Sequence, residues 1–164
     1  MFIALENLFN GGIGSIPLDC EFDFSSHEFG GVFPFTTPVT LKGEIRNTAG
    51  IVTVKAKISF VLETCCDRCA AEVKLPFEVE MEHGLVSSLN DEENDDYILV
   101  ENMKLDIEEL TSEDIYLALP GKILCKEDCK GVCATCGADL NDGPCGCKKE
   151  IDPRWAGLFS SEDE

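Results

Sequence analysis

The sequence is short of positive charge and of histidine. Lysine and arginine contribute 13 residues against 32 aspartates and glutamates in a chain of 164 residues, which gives a formal net charge of -19, and only two histidines are present. Proteins that bind nucleic acid through a broad surface present a basic field, because neutralising phosphates supplies most of the non-specific affinity. The chain as a whole does not fit that class, and basic protein partners suit its charge better.

Long apolar runs and familiar catalytic motifs are also missing. No apolar stretch approaches the length that spans a membrane, and the opening MFIALENLFN carries Glu6 and no basic region, which predicts no secretory signal. We therefore expect a cytoplasmic protein. There is no G-x-S-x-G, no phosphate loop and no H-E-x-x-H, and no histidine neighbours a cysteine. The sequence therefore favours a non-enzymatic role.

The charge that is present is segregated along the chain. Residues 1–41 sum to -5, residues 42–74 to +2 and residues 82–114 to -11. Only residues 42–74 and the cysteine-rich segment that follows the acidic region could offer a local basic surface. An acidic face and a smaller basic region are predicted to coexist.

Four segments alternate apolar and polar residues with the period of a half-buried strand. They run from Ile16 to Phe24, from Val39 to Ile45, from Val52 to Leu62 and from Val73 to Met81. Pro76 favours an edge position or a bulge for the fourth, because proline cannot donate to the ladder. A short fifth strand is predicted for residues 97–100, and a helix for about 106–119, with Asp106 and Glu109 as a capping box.

These elements predict an α+β fold. It would consist of a mainly antiparallel β-sheet or partly open barrel, one covering helix and a cysteine-rich, zinc-binding C-terminal segment. We expect a β-rich core domain over residues 1–121, a zinc segment packed on it over 122–150, and a C-terminal helix or tail over 151–164.

The third and fourth strands are separated by the sequence CCDRCAAE, which places a C-x2-C at the tip of a hairpin. Cys66 and Cys69 there have the spacing of a zinc knuckle. Cys65 would still belong to the strand, although Cys65 with Cys69 is an alternative pair. A lone C-x2-C can also act in thiol redox chemistry, so a thiol-redox or metal-handling protein using Cys66 and Cys69 is the rival function.

Six further cysteines lie between residues 125 and 147, with the spacing C-x3-C-x3-C-x2-C-x8-C-x-C. In a reducing compartment such a cluster indicates metal, and zinc first, rather than disulfides. The preferred grouping is Cys133, Cys136, Cys145 and Cys147 for one ion, and Cys66, Cys69, Cys125 and Cys129 for a second. In the alternative grouping, Cys125 and Cys129 join Cys133 and Cys136, and the last two cysteines join the hairpin. Either grouping predicts one or two structural zinc ions, because four thiolates leave no position open for a substrate.

The segments CCDRCAAEVKLPF, DIEELTSEDIYLALP, LCKEDCKGVCATCGADLNDGPCGC and IDPRWAGL together resemble the YceD family. This family is also called domain of unknown function 177, or the large ribosomal RNA subunit accumulation protein. The resemblance extends from the first strand to Leu158. Its C-R-C-type hairpin motif matches Cys66, Arg68 and Cys69, and only some members keep the tail cysteines.

The resemblance implies a cytoplasmic role in the accumulation of large-subunit ribosomal RNA, through its synthesis, processing or stability. The expected partners are large-subunit assembly components, either protein or ribosomal RNA, with no membrane and no small-molecule substrate. Candidate residues for RNA or partner contact are Lys55, Lys57, Arg68, Lys74, Lys130, Arg154 and Trp155.

Overall fold

The computed structural model describes residues 1–11, 14–88 and 97–147. Its strands are β1 (Phe2–Ala4), β2 (Ser15–Phe22), β3 (Val39–Thr48), β4 (Ile51–Cys65), β5 (Glu72–Val86), β6 (Tyr97–Leu99) and β7 (Lys104–Asp106). Its helices are α1 (Glu6–Phe9), a single 3-10 turn at Glu101–Met103, and α2 (Ile107–Ala118). Among the described residues, no helix combines the length and the apolar character needed to cross a membrane.

Five strands form the main sheet, in the order β2-β3-β4-β5-β6, which curls into a half-barrel. Every pairing is antiparallel except that of β5 with the short β6. The predicted α+β class, with a mainly antiparallel sheet and a covering helix, is confirmed. The central strands are longer than the alternation indicated, because β4 and β5 each run for 15 residues up to the hairpin tip.

Local sequence fixes the first long hairpin. Thr48 pairs with Ile51, so Ala49 and Gly50 form a two-residue connection with φ of 55° and 90°. Positive φ at both central residues is the type I′ geometry that matches the twist of antiparallel strands. The side chain of Asn47 accepts the backbone N–H of Gly50 at 2.9 Å and supports the turn.

The concave side of the sheet and helix α2 share one apolar core. Leu41, Ile45 and Ile58 of the sheet and Ile107 of the helix are completely buried. The helix begins where predicted, because the carboxylate of Asp106 accepts the first free backbone N–H groups of the helix.

A polar contact also joins the helix to the sheet. His83 of β5 lies 2.9 Å from the carboxylate of Asp114. Since 31 residues separate these two side chains, their contact could not be anticipated from local spacing.

Two three-residue strands were not predicted from the sequence. β1 and β7 pair with each other and set residues 2–4 beside residues 104–106, at the start of α2. Between β6 and β7 the chain turns through Asn102 and Met103, which both have positive φ. The open edge of β5 carries Pro76, in agreement with the edge position that this proline predicted, since β6 pairs only with residues 84–86.

Candidate metal centres and surrounding surface

Eight cysteine side chains gather in two groups of four. The first tetrad consists of Cys66, Cys69, Cys125 and Cys129, and the second tetrad consists of Cys133, Cys136, Cys145 and Cys147. Within each tetrad the sulfur atoms all lie within 4.8 Å of one another. These are the two groups that the cysteine spacing favoured. Cys65 lies at the exposed end of β4, and neither it nor Cys20 belongs to a tetrad.

The sulfur separations in the first tetrad fit a tetrahedral metal ion. Sulfurs about 2.3 Å from a zinc ion are about 3.8 Å apart when the geometry is tetrahedral. The Sγ atoms of Cys66 and Cys129 are 3.7 Å apart, and those of Cys69 and Cys125 are 3.6 Å apart. The residues present therefore suit a soft, four-coordinate ion.

Hydrogen bonds around the first tetrad join the hairpin tip to residues 123–132. These residues belong to the cysteine-rich segment, which we call the tail from this point. Asp67 donates its backbone N–H to the carbonyl of Ile123 at 2.8 Å, and its carboxylate accepts the N–H of Ile123 at 2.6 Å. Val132 donates its N–H to the carbonyl of Arg68 at 3.0 Å. The guanidinium of Arg68 in turn donates to the carbonyl of Cys129 at 2.8 Å. The tetrad is therefore the centre of an interface between two segments that are distant in sequence.

The two hairpin-like knuckles share one hydrogen-bond pattern. In the first, Cys66 donates its N–H to the carbonyl of Ala71 and its carbonyl accepts the N–H of Ala70, both at 2.8 Å. In the second, Cys133 makes the equivalent bonds with Ala138 and Gly137, again at 2.8 Å.

In each knuckle, the residue four positions after the first cysteine has a positive φ. This angle is 57° at Ala70 and 73° at Gly137. Each turn points backbone N–H groups at sulfur, which stabilises thiolate.

The thiol pKa values in each tetrad diverge. Loss of hydration on burial acts to raise the pKa of the Cys66 thiol. Backbone N–H donors, above all that of Arg68, outweigh this effect and lower the pKa to about 6. Loss of hydration and the neighbouring Cys69 sulfur raise the pKa of Cys125 to about 12. In the second tetrad, N–H donation from Cys136 and Thr135 lowers the pKa of Cys133 to about 6.

The opposite shift in the second tetrad occurs at Cys147. Contact with the Cys136 sulfur raises the pKa of Cys147 to about 12. Closely spaced thiols resist ionising together unless a cation compensates them.

Three of the candidate contact residues lie on the sheet and pair with carboxylates. Lys55 lies 2.5 Å from Glu82, Lys57 lies 2.7 Å from Glu78 and Lys74 lies 2.9 Å from Glu63. These are cross-strand pairs between β4 and β5, and each one cancels a positive charge locally.

The remaining candidates lie around the first tetrad or outside the described residues. Arg68 uses its guanidinium in the hairpin–tail interface, and Lys130 is exposed beside the first tetrad. Arg154 and Trp155 fall in the segment 151–164, which lies outside the described residues.

Two supporting residues were missed by spacing arguments. The side-chain amide of Asn141 donates to the Cys129 sulfur at 3.5 Å, and its oxygen accepts the Lys130 N–H at 2.9 Å. Gly131 has a φ of 75° and lies close to the backbone of Arg68. A Cβ added at this position would lie 2.8 Å from the Arg68 carbonyl oxygen. The only sequence signal for them was their position inside the cysteine run.

The fold and the two tetrads define a class: a curled β-sheet protein whose hairpin and C-terminal cysteines are arranged so that they could hold metal ions. The chain belongs to the YceD family, because the family described as "Large ribosomal RNA subunit accumulation protein YceD" matches residues 54–160. The resemblance noted in the sequence is thereby confirmed. The matched region begins within β4 and includes the hairpin tip and all eight tetrad cysteines.

Two relatives show how far the similarity extends. YlbN of Bacillus subtilis is 31% identical over 125 residues, covering 74% of this chain and 73% of its own length. Rv2926c of Mycobacterium tuberculosis (strain H37Rv) is 33% identical over 97 residues, covering 57% of this chain. The match covers 47% of Rv2926c, so the chain spans about half the length of that mycobacterial relative. No solved structure matches the chain significantly.

Proposed function

We propose that the protein is a non-enzymatic factor that supports the accumulation of large-subunit ribosomal RNA and ribosome assembly in the cytoplasm. The single observation that carries this proposal is the family match over residues 54–160. Accumulation here means the synthesis, processing or stability of the RNA. The partner would be a large-subunit assembly component.

The two tetrads would each hold a structural zinc ion in this role. Four thiolates complete the coordination of zinc and leave no position for a substrate or an activated water. The ion in the first tetrad would fasten the tail to the hairpin, and the ion in the second would shape the tail itself. Analysis of the protein purified under reducing conditions should find two zinc ions per chain, and their absence would remove this part of the proposal.

The distribution of charge favours a protein over RNA as the main contact. The sheet lysines Lys55, Lys57 and Lys74 are matched by carboxylates, and matched pairs contribute little to a long-range field. Direct RNA contact would fall mainly to Arg68 and Lys130, at the end of the molecule that carries the first tetrad.

A genetic experiment tests the function. Depletion of the protein in the organism that encodes it should lower the ratio of large- to small-subunit ribosomal RNA, and expression of the wild-type protein should restore that ratio. Complementation by the Lys130→Glu variant would separate protein from RNA contact. A protein contact elsewhere predicts that this variant still restores the ratio, whereas RNA contact through the exposed Lys130 side chain predicts that it does not. An unchanged ratio on depletion would contradict the proposal.

A second candidate is thiol–disulfide exchange by the C-x2-C pair Cys66 and Cys69. The backbone N–H of Arg68 donates to the Cys66 sulfur at 3.5 Å, which favours the reactive thiolate. Exchange chemistry would need Cys66 and Cys69 to react with small disulfides in the purified protein. Thiols that react only after zinc is removed would exclude it.

A further inference from the structure

We propose that a groove between β1, β6, β7 and the start of α2 binds a lysine- or arginine-rich segment of a protein partner that also carries apolar side chains. We name it the acidic groove. The inference deepens the proposed function and rests on it only in taking that partner to be a ribosome-assembly component.

Apolar side chains form part of the floor of the acidic groove and are partly open to solvent. The groove has a volume of about 360 Å³, and its lining includes Phe2, Leu99 and Leu110. Phe2 is 70% exposed and Leu99 is 44% exposed, whereas Leu110 is buried and joins this floor to the core. Two large apolar side chains exposed in one concave site are the kind of anchor that protein partners cover.

The rim of the acidic groove is negative. Glu101, Glu109 and Glu113 line it, and all three are exposed. Glu109 and Glu113 are four residues apart on α2, so they lie on the same face and repel each other. Within the part of the chain that the structure describes, none of the three forms an ion pair. One lysine, Lys104, lines the same groove.

This rim differs from the sheet, where several of the carboxylates have lysine partners on the neighbouring strand. On the sheet, Glu78 and Glu82 each have a lysine from β4 as a neighbour. At the acidic groove, the three exposed glutamates share the single lysine Lys104, so negative charge is in excess there. A neighbouring cation supplied by another molecule would relieve this repulsion.

Charge selects among the classes of occupant. An RNA strand brings phosphates and would be repelled by the rim. A second copy of this chain carries the same net charge of -19 and would also be repelled at long range. A basic protein segment satisfies the rim, and its apolar side chains can cover Phe2 and Leu99.

Binding of fluorescent peptides to the full chain tests the proposal. The probe is a lysine-rich peptide containing leucines, compared with the same peptide carrying serine for leucine or glutamate for lysine. The groove variant Glu109→Lys/Glu113→Lys should bind the probe at least about tenfold more weakly than the wild type. Leu99→Ser should weaken binding by about fivefold, because it removes an apolar contact.

The matched control is Glu21→Lys/Glu72→Lys, which makes the same change in net charge at two exposed strand positions outside the groove. Its affinity for the probe should stay within about twofold of the wild-type value at physiological salt, where distant charges are screened. Equal losses in the groove and control variants would overturn the proposal, as would equal binding of the leucine- and serine-containing peptides. Tighter binding of a single-stranded RNA probe than of the peptide, or groove-dependent dimerisation, would also overturn it.

Failure of this inference can be told apart from failure of the proposed function. If the Glu109→Lys/Glu113→Lys variant binds the probe like the wild type but depletion still lowers large-subunit RNA, only the groove is excluded. If depletion leaves the RNA ratio unchanged while the groove variant loses the probe, the groove binds a basic segment in another context.

Discussion

The two tetrads have the same ligands and the same type of knuckle, but they differ in what they connect. In the first tetrad, Cys66 and Cys129 are 63 residues apart in sequence, and both are almost fully buried at 3% and 2% exposure. The second tetrad is contained within residues 133–147, and its Cys136 and Cys147 are exposed. The first tetrad therefore has two ligands in the core, although its Cys125 is exposed, whereas the second tetrad lies within one short segment.

The physical consequence follows from chain entropy and burial. Closing a long loop costs more entropy than closing a short one, so an ion that bridges distant segments offsets a larger cost on folding. The first tetrad also touches the apolar cluster that includes Leu62 and Ile123. The same coordination chemistry should therefore stabilise the whole sheet through one tetrad and only a local segment through the other.

Removing two ligands from each tetrad in turn gives the largest expected effect. Cys66→Ser/Cys129→Ser should lower the Tm of the sheet by more than about 10 °C, because it removes a bridging ion and two buried groups. Cys136→Ser/Cys147→Ser should lower that Tm by less than about 3 °C. Thermal unfolding followed by circular dichroism measures both, with zinc content determined on the same samples.

Cys20→Ser is the control, because Cys20 belongs to neither tetrad. Each double variant should lose one ion per chain, and the control should lose none. Equal falls in Tm for the two double variants would contradict the difference drawn between the tetrads.

Gly131→Ala should cause the next largest loss of stability, because it changes the backbone of the hairpin–tail interface. Its Cβ would lie 2.8 Å from the Arg68 carbonyl oxygen, and its φ of 75° disfavours any side chain. We expect a loss of about 1–3 kcal/mol in the free energy of unfolding, measured by urea titration. Gly121→Ala is the matched control, because its Cβ would meet no atom within 4 Å in the part of the chain that the structure describes. A similar loss in that variant would show that the close approach is unimportant.

Asn141→Ala should weaken metal binding in one tetrad only. The variant loses the amide that donates to the Cys129 sulfur and the oxygen that accepts from Lys130. Groups that orient a metal ligand typically affect affinity by about tenfold or more, so zinc in the first tetrad should bind about tenfold more weakly. Competition with a chromophoric chelator would resolve the two ions. Unchanged affinity at the first tetrad, or loss at both, would count against this role for Asn141.

Much of this architecture was readable from local sequence. Alternation of period two located β2 to β5, because one face of each strand is buried. The C-x2-C spacing identified both knuckles, because a turn of that length brings two sulfurs together. These features depend on residues that are neighbours in the chain.

The remaining features depend on contacts between distant segments. The pairing of β1 with β7 requires residues 2–4 to meet residues 104–106, and neither segment is long enough to show a period. Sequence could not show that Lys55 and Lys57 face carboxylates, because that depends on the register between β4 and β5. The acidic groove has the same origin, since it is assembled by four elements and no single segment encodes it.

The smallest expected effect is also the sharpest comparison of the two knuckles, because they carry different residues at the same position of positive φ. Ala70 adopts φ of 57°, where an L side chain costs about 1 kcal/mol, and Gly137 adopts φ of 73° without that cost. Ala70→Gly should leave the free energy of unfolding unchanged or raise it by up to about 0.5 kcal/mol, since glycine also gains freedom in the unfolded chain. Gly137→Ala should reduce zinc affinity at the second tetrad alone, by about fivefold, because none of the described residues lies within 4 Å of the added Cβ and the backbone preference opposes it. Urea titration and chelator competition measure the two effects, and a large loss in Ala70→Gly would show that the methyl group of Ala70, rather than its φ, matters at the hairpin tip.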